Sequence, residues 1–314
     1  TIATQVGNCA AIARVRTPEY SQEAKYLRDK LGLALIINPE LEAAIEMAHI
    51  LHLPSSLEVT NFAHGQAQLI KYEIPEGSIL DGTKLMDLGT RHHANILIGA
   101  VERDDEVTIP SGDFVLRKGD KLSFVGERRH TKEFFSHIGV NTHSVKNTLI
   151  IGGGKAAYYL AKQLISRGIK VKIIENSFER CEELSILLPD AVIINGDGTE
   201  QALLKEEGIE TCQSFVPLTG IDEENIMLTL YAKQVSNAKV ITKLNRITFT
   251  NVINSLDLGS VISPKYITSE AIIAYVRAKK NSMNCNIETL YHSYDSRVEA
   301  IEFFVSENSN VTDI

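Results

Sequence analysis

Apolar and polar positions along this chain follow two different periods, and each period marks a different kind of element. From Thr148 to Arg246 the apolar residues come in short unbroken runs, each followed by a turn and then by apolar residues three and four positions apart. Such runs read as buried parallel strands alternating with amphipathic helices. The first run, Leu149 to Ile151, leads into Gly152, Gly153 and Gly154 and then into Ala157, Leu160, Ala161 and Leu164 at helical spacing. Strand, tight turn and helix are predicted there. Lys170 to Ile174 predicts the next strand, and AVIIN (191–195), SFVPL (214–218) and KVITKLN (239–245) predict three more. Residues 55–143 differ: LEVTNF, AQLIKYEI, DFVLRKG and DKLSFVG alternate apolar with polar over short stretches broken by Gly, Asp and Pro. That is the pattern of a small, mostly antiparallel β unit, with MDLGTRH as a short helix inside it.

Segments of the chain also resemble one another. AAIARVRTPEY matches KVITKLNRITF, ALIINPELEAAIEMAHIL matches SVISPKYITSEAIIAYVRAK, and QAQLIKYEIPEGS matches RVEAIEFFVSENS, each pair offset by roughly 225 to 230 residues. The chain therefore reads as two tandem copies of one unit, both incomplete. Pro39 and Pro264 stand at the first turn of corresponding helices, where a missing amide costs little. The expected fold class is α/β, with doubly wound Rossmann-type parallel-sheet domains alternating with small α+β domains. Residues 1–54 are expected to hold the end of a first doubly wound domain and its crossover helix, and 55–143 the first β-rich domain. A complete doubly wound domain with its crossover helix is expected over 144–282, and the start of a second β-rich domain over 283–314. Thr1 in place of a methionine, and an end just after a strand, read as a chain cut inside a domain at both ends. Leu41, Ile45, Ala48 and Leu51 of one crossover helix, and Ile267, Ala271, Ile272, Tyr275 and Val276 of the other, are expected to form a seam between modules.

Composition narrows the class. At 314 residues, 44% apolar and 23% charged, the chain is long enough for more than one core and ordinary for a soluble globular protein. No apolar stretch approaches the roughly 18 residues that span a bilayer, and no signal peptide opens the sequence. A formal charge of -8 argues against nucleic acid and against direct membrane insertion or adsorption to anionic lipid. Cys9, Cys181, Cys212 and Cys285 lack metal or redox spacing and read as reduced thiols.

The glycine turn carries the candidate chemistry. In the G-x-G-x-x-G/A pattern Gly152 permits the turn, Gly154 lets backbone approach a pyrophosphate, and Ala157 lets helix and strand pack closely. The amides of Gly153, Lys155 and Ala156 then open a helix whose positive end faces an anion. Glu175 ends the second strand, where a carboxylate accepts hydrogen bonds from ribose hydroxyls. The later strands end at Asp197, Gly198 and Thr199, at Thr219, and at Arg246, all at the sheet edge where ligands sit in such folds. Taken singly, Asp197 and Gly198 also read as a turn pair, Thr199 and Thr219 as helix caps, and Lys155 as a surface lysine. A 2′-phosphate about 4 Å from Glu175 would be repelled by roughly 1 to 4 kcal/mol, which favours NAD over NADP. Arg180, one turn into the next helix, reads as an exposed helix residue, with a softening of that preference as its other reading. Residues 144–282 contain no histidine, and Lys243 and Tyr231 are thin candidates for a proton donor. Binding therefore ranks above catalysis, with an NAD-dependent oxidoreductase second. His49 and His52 stand three apart on a helix without a supporting acid or cysteine, and His92 and His93 read as solvated, so no metal site is expected.

Five segments, LIIGGGKAAYYLAKQL, VKIIENSFERCEELS, IINGDGTEQALLKEEGI, DEENIMLTLYAKQ and YEIPEGSILDGTKLMDL, together with the domain order, resemble the TrkA family of Trk potassium-uptake regulatory proteins, which carry two RCK (KTN) modules. The resemblance covers essentially the whole chain. It implies a non-enzymatic, cytoplasmic regulatory subunit that binds NAD or NADH, with ATP, ADP or AMP as alternatives in the same site. It also implies a tetrameric or dimeric ring of tandem modules that gates a TrkH-type membrane potassium translocating subunit, held peripherally at the inner face of the membrane by that partner. On the family pattern Gly152, Gly153, Gly154, Lys155 and Ala156 form the phosphate turn, and Glu175 is the ribose acid. Asp197, Gly198 and Thr199 match its GDGT beside the adenosine, and Thr219 its fourth strand end. Gly220 and Ile221 depart from the polar residues expected next, and the first module's glycine loop is absent from the sequence.

Overall fold

The computed structural model describes residues 6–7, 9–17, 24–52, 58–62, 67–91, 95–140, 145–246, 250–281, 287–293 and 298–303. In chain order the described elements begin with β1 (Ala11–Arg14), α1 (Ala24–Leu31), β2 (Leu33–Ile37) and α2 (Pro39–His52). They continue with β3 (Glu58–Phe62), β4 (Ala67–Glu73), α3 (Leu88–Arg91), β5 (Leu97–Arg103), β6 (Glu106–Thr108), β7 (Lys121–Glu127) and α4 (Arg128–His137). Then come β8 (Asn147–Ile151), α5 (Lys155–Ile165), β9 (Lys170–Glu175), α6 (Phe178–Leu187), β10 (Val192–Asn195), α7 (Gln201–Glu206), β11 (Ser214–Pro217), α8 (Asp222–Val235) and β12 (Lys239–Lys243). The last are α9 (Thr250–Ser255), β13 (Ser260–Ile262), α10 (Pro264–Asn281), β14 (Ile287–Ser293) and β15 (Val298–Phe303). The chain divides into two compact units, one of Thr1–His52 with Ser144–Ala271 and one of Leu53–His143 with Ile272–Ile314.

In the first unit β8 to β13 form one parallel sheet in the order β10-β9-β8-β11-β12-β13, which is the 3-2-1-4-5-6 arrangement of a doubly wound fold. Successive strand residues point to opposite faces. Ile150, Val171, Ile173, Val216 and Ile241 therefore join a core with α5 on one face, whereas Leu149, Ile151, Ile174, Phe215 and Val240 join a second core with Leu204 of α7 and Leu228 of α8 on the other. Beyond the end of helix α5 the chain turns at Gly168, whose φ of +76° suits the left-handed conformation and lets Ile169 donate to the Leu164 carbonyl at 3.0 Å. Strands β1 and β2 pair in parallel as a separate two-stranded sheet. The helix after them, α2, is held to the six-stranded half: Ala43, Ala44, Met47, Ala48 and Leu51 share a buried core with Ala157, Leu160, Ala161 and Leu164 of α5. Small residues on both helices allow that close approach. Asn38 caps α2 through Leu41 N–H (3.1 Å) while its Nδ2 donates to the Tyr159 hydroxyl (3.0 Å), and Lys239 Nζ donates to the Ile50 carbonyl near the end of α2 (2.5 Å). Ile267 of the second crossover helix also packs on this core.

The second unit contains a five-stranded antiparallel sheet in the order β3-β4-β7-β5-β6 and the antiparallel pair β14–β15. Phe134 and Phe135 of α4 pack edge-on or tilted against Tyr72 and Phe124 of the sheet. Met86 to Arg91 form the short helix expected of MDLGTRH, a 3₁₀ turn (Leu85–Asp87) running into α3. DFVLRKG does not form the expected strand: only Val115 bridges, to Lys84, and the segment turns back at Gly119, φ +82°. The buried Asp120 explains the turn, accepting from Arg117 N–H and from both Nε and a terminal nitrogen of Arg103, all at 2.7 Å. Arg103 also adjoins the β5–β6 loop, where Asp104 and Asp105 take the left-handed φ values of 50° and 63° that a two-residue hairpin requires.

Candidate functional site

Strands β8 and β11 lie side by side although the chain reaches them first and fourth, and their connecting helices go to opposite faces. Sheets of this order leave their ligand crevice beyond the carboxyl ends of those two strands. Three glycines there are crowded by the protein's own atoms. Gly152 has φ +92°, donates to the Ile174 carbonyl at 2.8 Å, and lies where a Cβ would stand 3.2 Å from the Leu218 carbonyl and the Thr219 nitrogen. A Cβ on Gly153 would meet Leu184 Cδ1 at 2.6 Å, and one on Gly198 would meet Ile151 Cγ2 at 2.3 Å. Gly154 is different. Its φ of -66° suits any residue, and a Cβ there would meet no atom within 4 Å.

Gly154 is also the N-cap of α5 and offers no side chain to its first turn, so the opening amides of the helix receive no acceptor from that position. Gly154 and Lys155 are exposed, whereas Ala156 turns into the core beside Ala157. Glu175 closes the adjoining strand, its Oε2 accepting from Gly153 N–H at 2.6 Å and its Oε1 from Ser177 N–H at 2.8 Å. The carboxylate is thereby held over the glycine turn. A carboxylate accepts about four hydrogen bonds, so roughly two positions remain for other donors.

Arg180 departs from its expectation as an exposed helix residue. Ser177 caps α6 by accepting from Arg180 N–H (3.3 Å), which aims the first turn at the glycine loop. The Arg180 side chain is only 24% exposed, its Nε donating to the Gly153 carbonyl at 2.7 Å and its Nη1 reaching Glu183 Oε2 at 2.5 Å. Gly153 is thus gripped on both sides, its N–H by Glu175 and its carbonyl by Arg180.

On the next strand end, Asp197 Oδ1 accepts from the backbone N–H (2.9 Å) and the hydroxyl (2.7 Å) of Thr199. Those bonds, the backbone one foremost, hold the Asp197 carboxyl below the usual carboxylate range. Thr199 therefore closes a turn and does not cap α7, whose N-cap is Glu200. Thr219 follows β11, and its N–H and hydroxyl both reach the buried Asn225 Oδ1, at 3.0 and 2.9 Å. Asn225 in turn donates from Nδ2 to the Lys243 carbonyl at 3.0 Å, and Lys243 Nζ donates back to the Thr219 carbonyl at 2.8 Å. Burial pushes the Lys243 amine below its ordinary range, with Asp222 and Glu40 acting against the shift. Asp222 clamps the chain after β12 by accepting from Asn245 and Arg246 N–H at 2.8 Å each.

Gly152, Gly153, Glu175 and Thr219 are thus brought into direct contact or bonding distance, with Gly198 packed beneath on Ile151. Asp197 and Thr199 bond to each other on the neighbouring strand end, and Lys155 stands exposed on the first turn of α5. Asn225 and Arg180 belong to the site although Asn225 did not attract attention in the sequence. Its signal was available: Asn225, Leu228, Thr229 and Ala232 share the buried face of α8 at helical spacing, and a polar residue on such a face requires a partner. Among the described residues no group of three or more His, Cys, Asp or Glu is placed to hold a metal. His92, His93 and Cys285 lie outside the described residues.

The TrkA-N domain model matches residues 148–264 and the TrkA-C domain model residues 69–139. Trk system potassium uptake protein trkA homolog 1 of Methanosarcina mazei is 33% identical over 301 residues, covering 96% of this chain and 72% of its own length. Other relatives of similar description are longer, and the chain spans 65% of them. Among solved structures, the GsuK RCK domain superposes with a TM-score of 0.65 at 17% identity, over 92% of this chain and 61% of that one. The GsuK channel bound to NAD gives 0.62 at 18% identity, over 92% and 50%. Both likenesses are of fold.

Proposed function

The chain belongs to the TrkA family of Trk-system potassium-uptake proteins, and from that premise we propose that it is a nucleotide-binding regulatory subunit that gates a membrane potassium uptake system. The carrying observation is Gly154, a glycine that neither backbone nor packing requires, standing at the uncapped start of α5 beside a carboxylate fixed over the turn. Bare amides with a helix dipole behind them suit a diphosphate, and Lys155 adds a cation to the same turn. The open acceptor positions of Glu175 suit ribose hydroxyls, and the Asp197–Thr199 turn and Thr219 flank the place of the adenosine. NAD or NADH is the ligand that this set favours, and GsuK, of the same fold, binds NAD. ATP, ADP and AMP carry the same phosphate and ribose groups and are alternatives in the same site.

In this reading the nucleotide supplies a charged, ribose-bearing ligand whose occupancy is the signal. Helix α5 begins at the crevice and packs along α2 of the preceding module, so a ligand that shifts the start of α5 acts on α2. A coupling of about 1 to 3 kcal/mol suffices, provided that the ligand binds the two conformations unequally. The module bounds 1–54, 55–143, 144–282 and 283–314, a homo-oligomeric ring, a cytoplasmic location and a TrkH-type translocating partner all belong to this proposal. No described helix is long and apolar enough to cross a membrane, which accords with attachment through a partner.

Calorimetric titration with NAD, NADH, ATP, ADP and AMP, paired with hydrogen exchange over α2, tests the reading. Binding of at least one nucleotide with altered protection of α2 supports it. No binding by any of the five, or catalytic oxidation of NADH with a carbonyl substrate, would remove it.

A further inference from the structure

The Arg180–Glu183 pair bears on which nucleotide enters, and the following rests on the nucleotide-binding reading above. Near the glycine turn the described side-chain charges include a carboxylate, Glu175, and a guanidinium, Arg180. The carboxylate keeps lone pairs for ribose hydroxyls and repels a phosphate placed on them. The guanidinium would do the reverse, since its fork matches phosphate oxygens well and sits one turn of helix beyond the acid. Two of its five N–H donors, and its charge, are however engaged by the protein itself. Its Nε is committed to the Gly153 carbonyl at 2.7 Å, and its Nη1 to Glu183 Oε2 at 2.5 Å. Glu183 itself is 57% exposed and carries no part of the core.

We propose that Glu183 is a specificity-determining residue acting through Arg180: it engages a terminal nitrogen of the guanidinium and offsets its charge, and so keeps the site selective for an unphosphorylated ribose. Arg180 is in that arrangement a positioning residue for Gly153, whose N–H in turn orients Glu175. Removing the Glu183 charge leaves the Nε bond to the Gly153 carbonyl, and with it the acid and the phosphate turn, in place, and uncovers the cation beside the ribose. A surface ion pair with only a helical role, three residues apart, would alter stability slightly and leave ligand choice unchanged.

The test is a pair of titrations, NADH and NADPH followed by their own fluorescence, on the wild-type chain and on Glu183→Gln and Arg180→Ala. The chain has no tryptophan, so energy transfer from indole does not complicate the signal. For Glu183→Gln the NADPH-to-NADH ratio of dissociation constants should fall about fivefold or more with NADH affinity nearly unchanged. For Arg180→Ala NADH should weaken about tenfold while NADPH gains nothing. An unchanged ratio in Glu183→Gln, with NADH still bound, overturns this inference and leaves the nucleotide reading standing. A wild-type chain that binds neither dinucleotide overturns the inference, and if it also binds no adenine nucleotide the reading falls with it.

Discussion

The two banks of the crevice are built on opposite principles. On the glycine bank, Gly154 and Lys155 are exposed, the first turn of α5 lacks a side-chain cap, and Glu175 retains acceptor capacity. On the α8 bank, Thr219, Asn225, Lys243 and Asp222 satisfy one another and the neighbouring backbone. The first bank has groups to offer a ligand, whereas the second fixes where β11 and β12 end. Affinity and stability should therefore separate when the banks are altered one at a time.

The largest effect is expected on the α8 bank. Asn225→Ala strands Thr219 N–H and the Lys243 carbonyl in the interior and should cost about 3 kcal/mol, read as a lower urea midpoint at constant m. Gly154→Leu should do the opposite, weakening NADH at least about a hundredfold, or some 2.7 kcal/mol, while stability falls by no more than about 1 kcal/mol. A loss of stability as large as the loss of binding would erase the distinction between the banks. Gly198→Ala puts a methyl 2.3 Å from Ile151 Cγ2 and should cost about 2 kcal/mol in thermal unfolding, showing that not every glycine at this edge serves the ligand.

A further effect concerns pH and lies at the start of β12, away from either bank. Burial lowers Lys239 to about 7 from a model-peptide value of 10.5. Between those values the unfolded chain holds a proton that the folded chain does not, so this lysine makes stability rise with pH, its full penalty being present below pH 7. Lys239→Met should remove that rise, measured as the difference between wild-type and variant unfolding from pH 7 to 9. Burial also raises Cys212 to about 11 and Tyr72 to about 12, opposing the trend at higher pH in both proteins alike, which the difference cancels.

What the sequence disclosed, and what it concealed, follows from the range of the interactions. The strand, turn and helix around Gly152–Gly154 depend on neighbours in the chain, and their apolar spacing announced them. Glu175 was visible because it ends a strand at a fixed distance from the glycines. Arg180 was misread because its partner is the Gly153 carbonyl, 27 residues earlier. DFVLRKG alternates like a strand, but Asp120 and Arg103 fold it into a turn through bonds across the sheet. Helix α4 went unseen because RRHTKEFFSH offers two adjacent phenylalanines and no longer repeat, its burial being decided by Tyr72 and Phe124.

The packing of α2 on α5 has a consequence for how the chain acquires its shape. Asn38 and Tyr159 meet although 121 residues separate them, and the whole five-stranded sheet is encoded in between. During synthesis, α2 emerges with an alanine-rich face that has no surface to settle on until α5 has been made. The intervening sheet can close first, which brings the two distant segments nearer and lowers the entropy lost when they join. A slow final phase in refolding, sensitive to bulk at Ala44 or Ala161 and insensitive to changes inside the sheet, would be its kinetic signature.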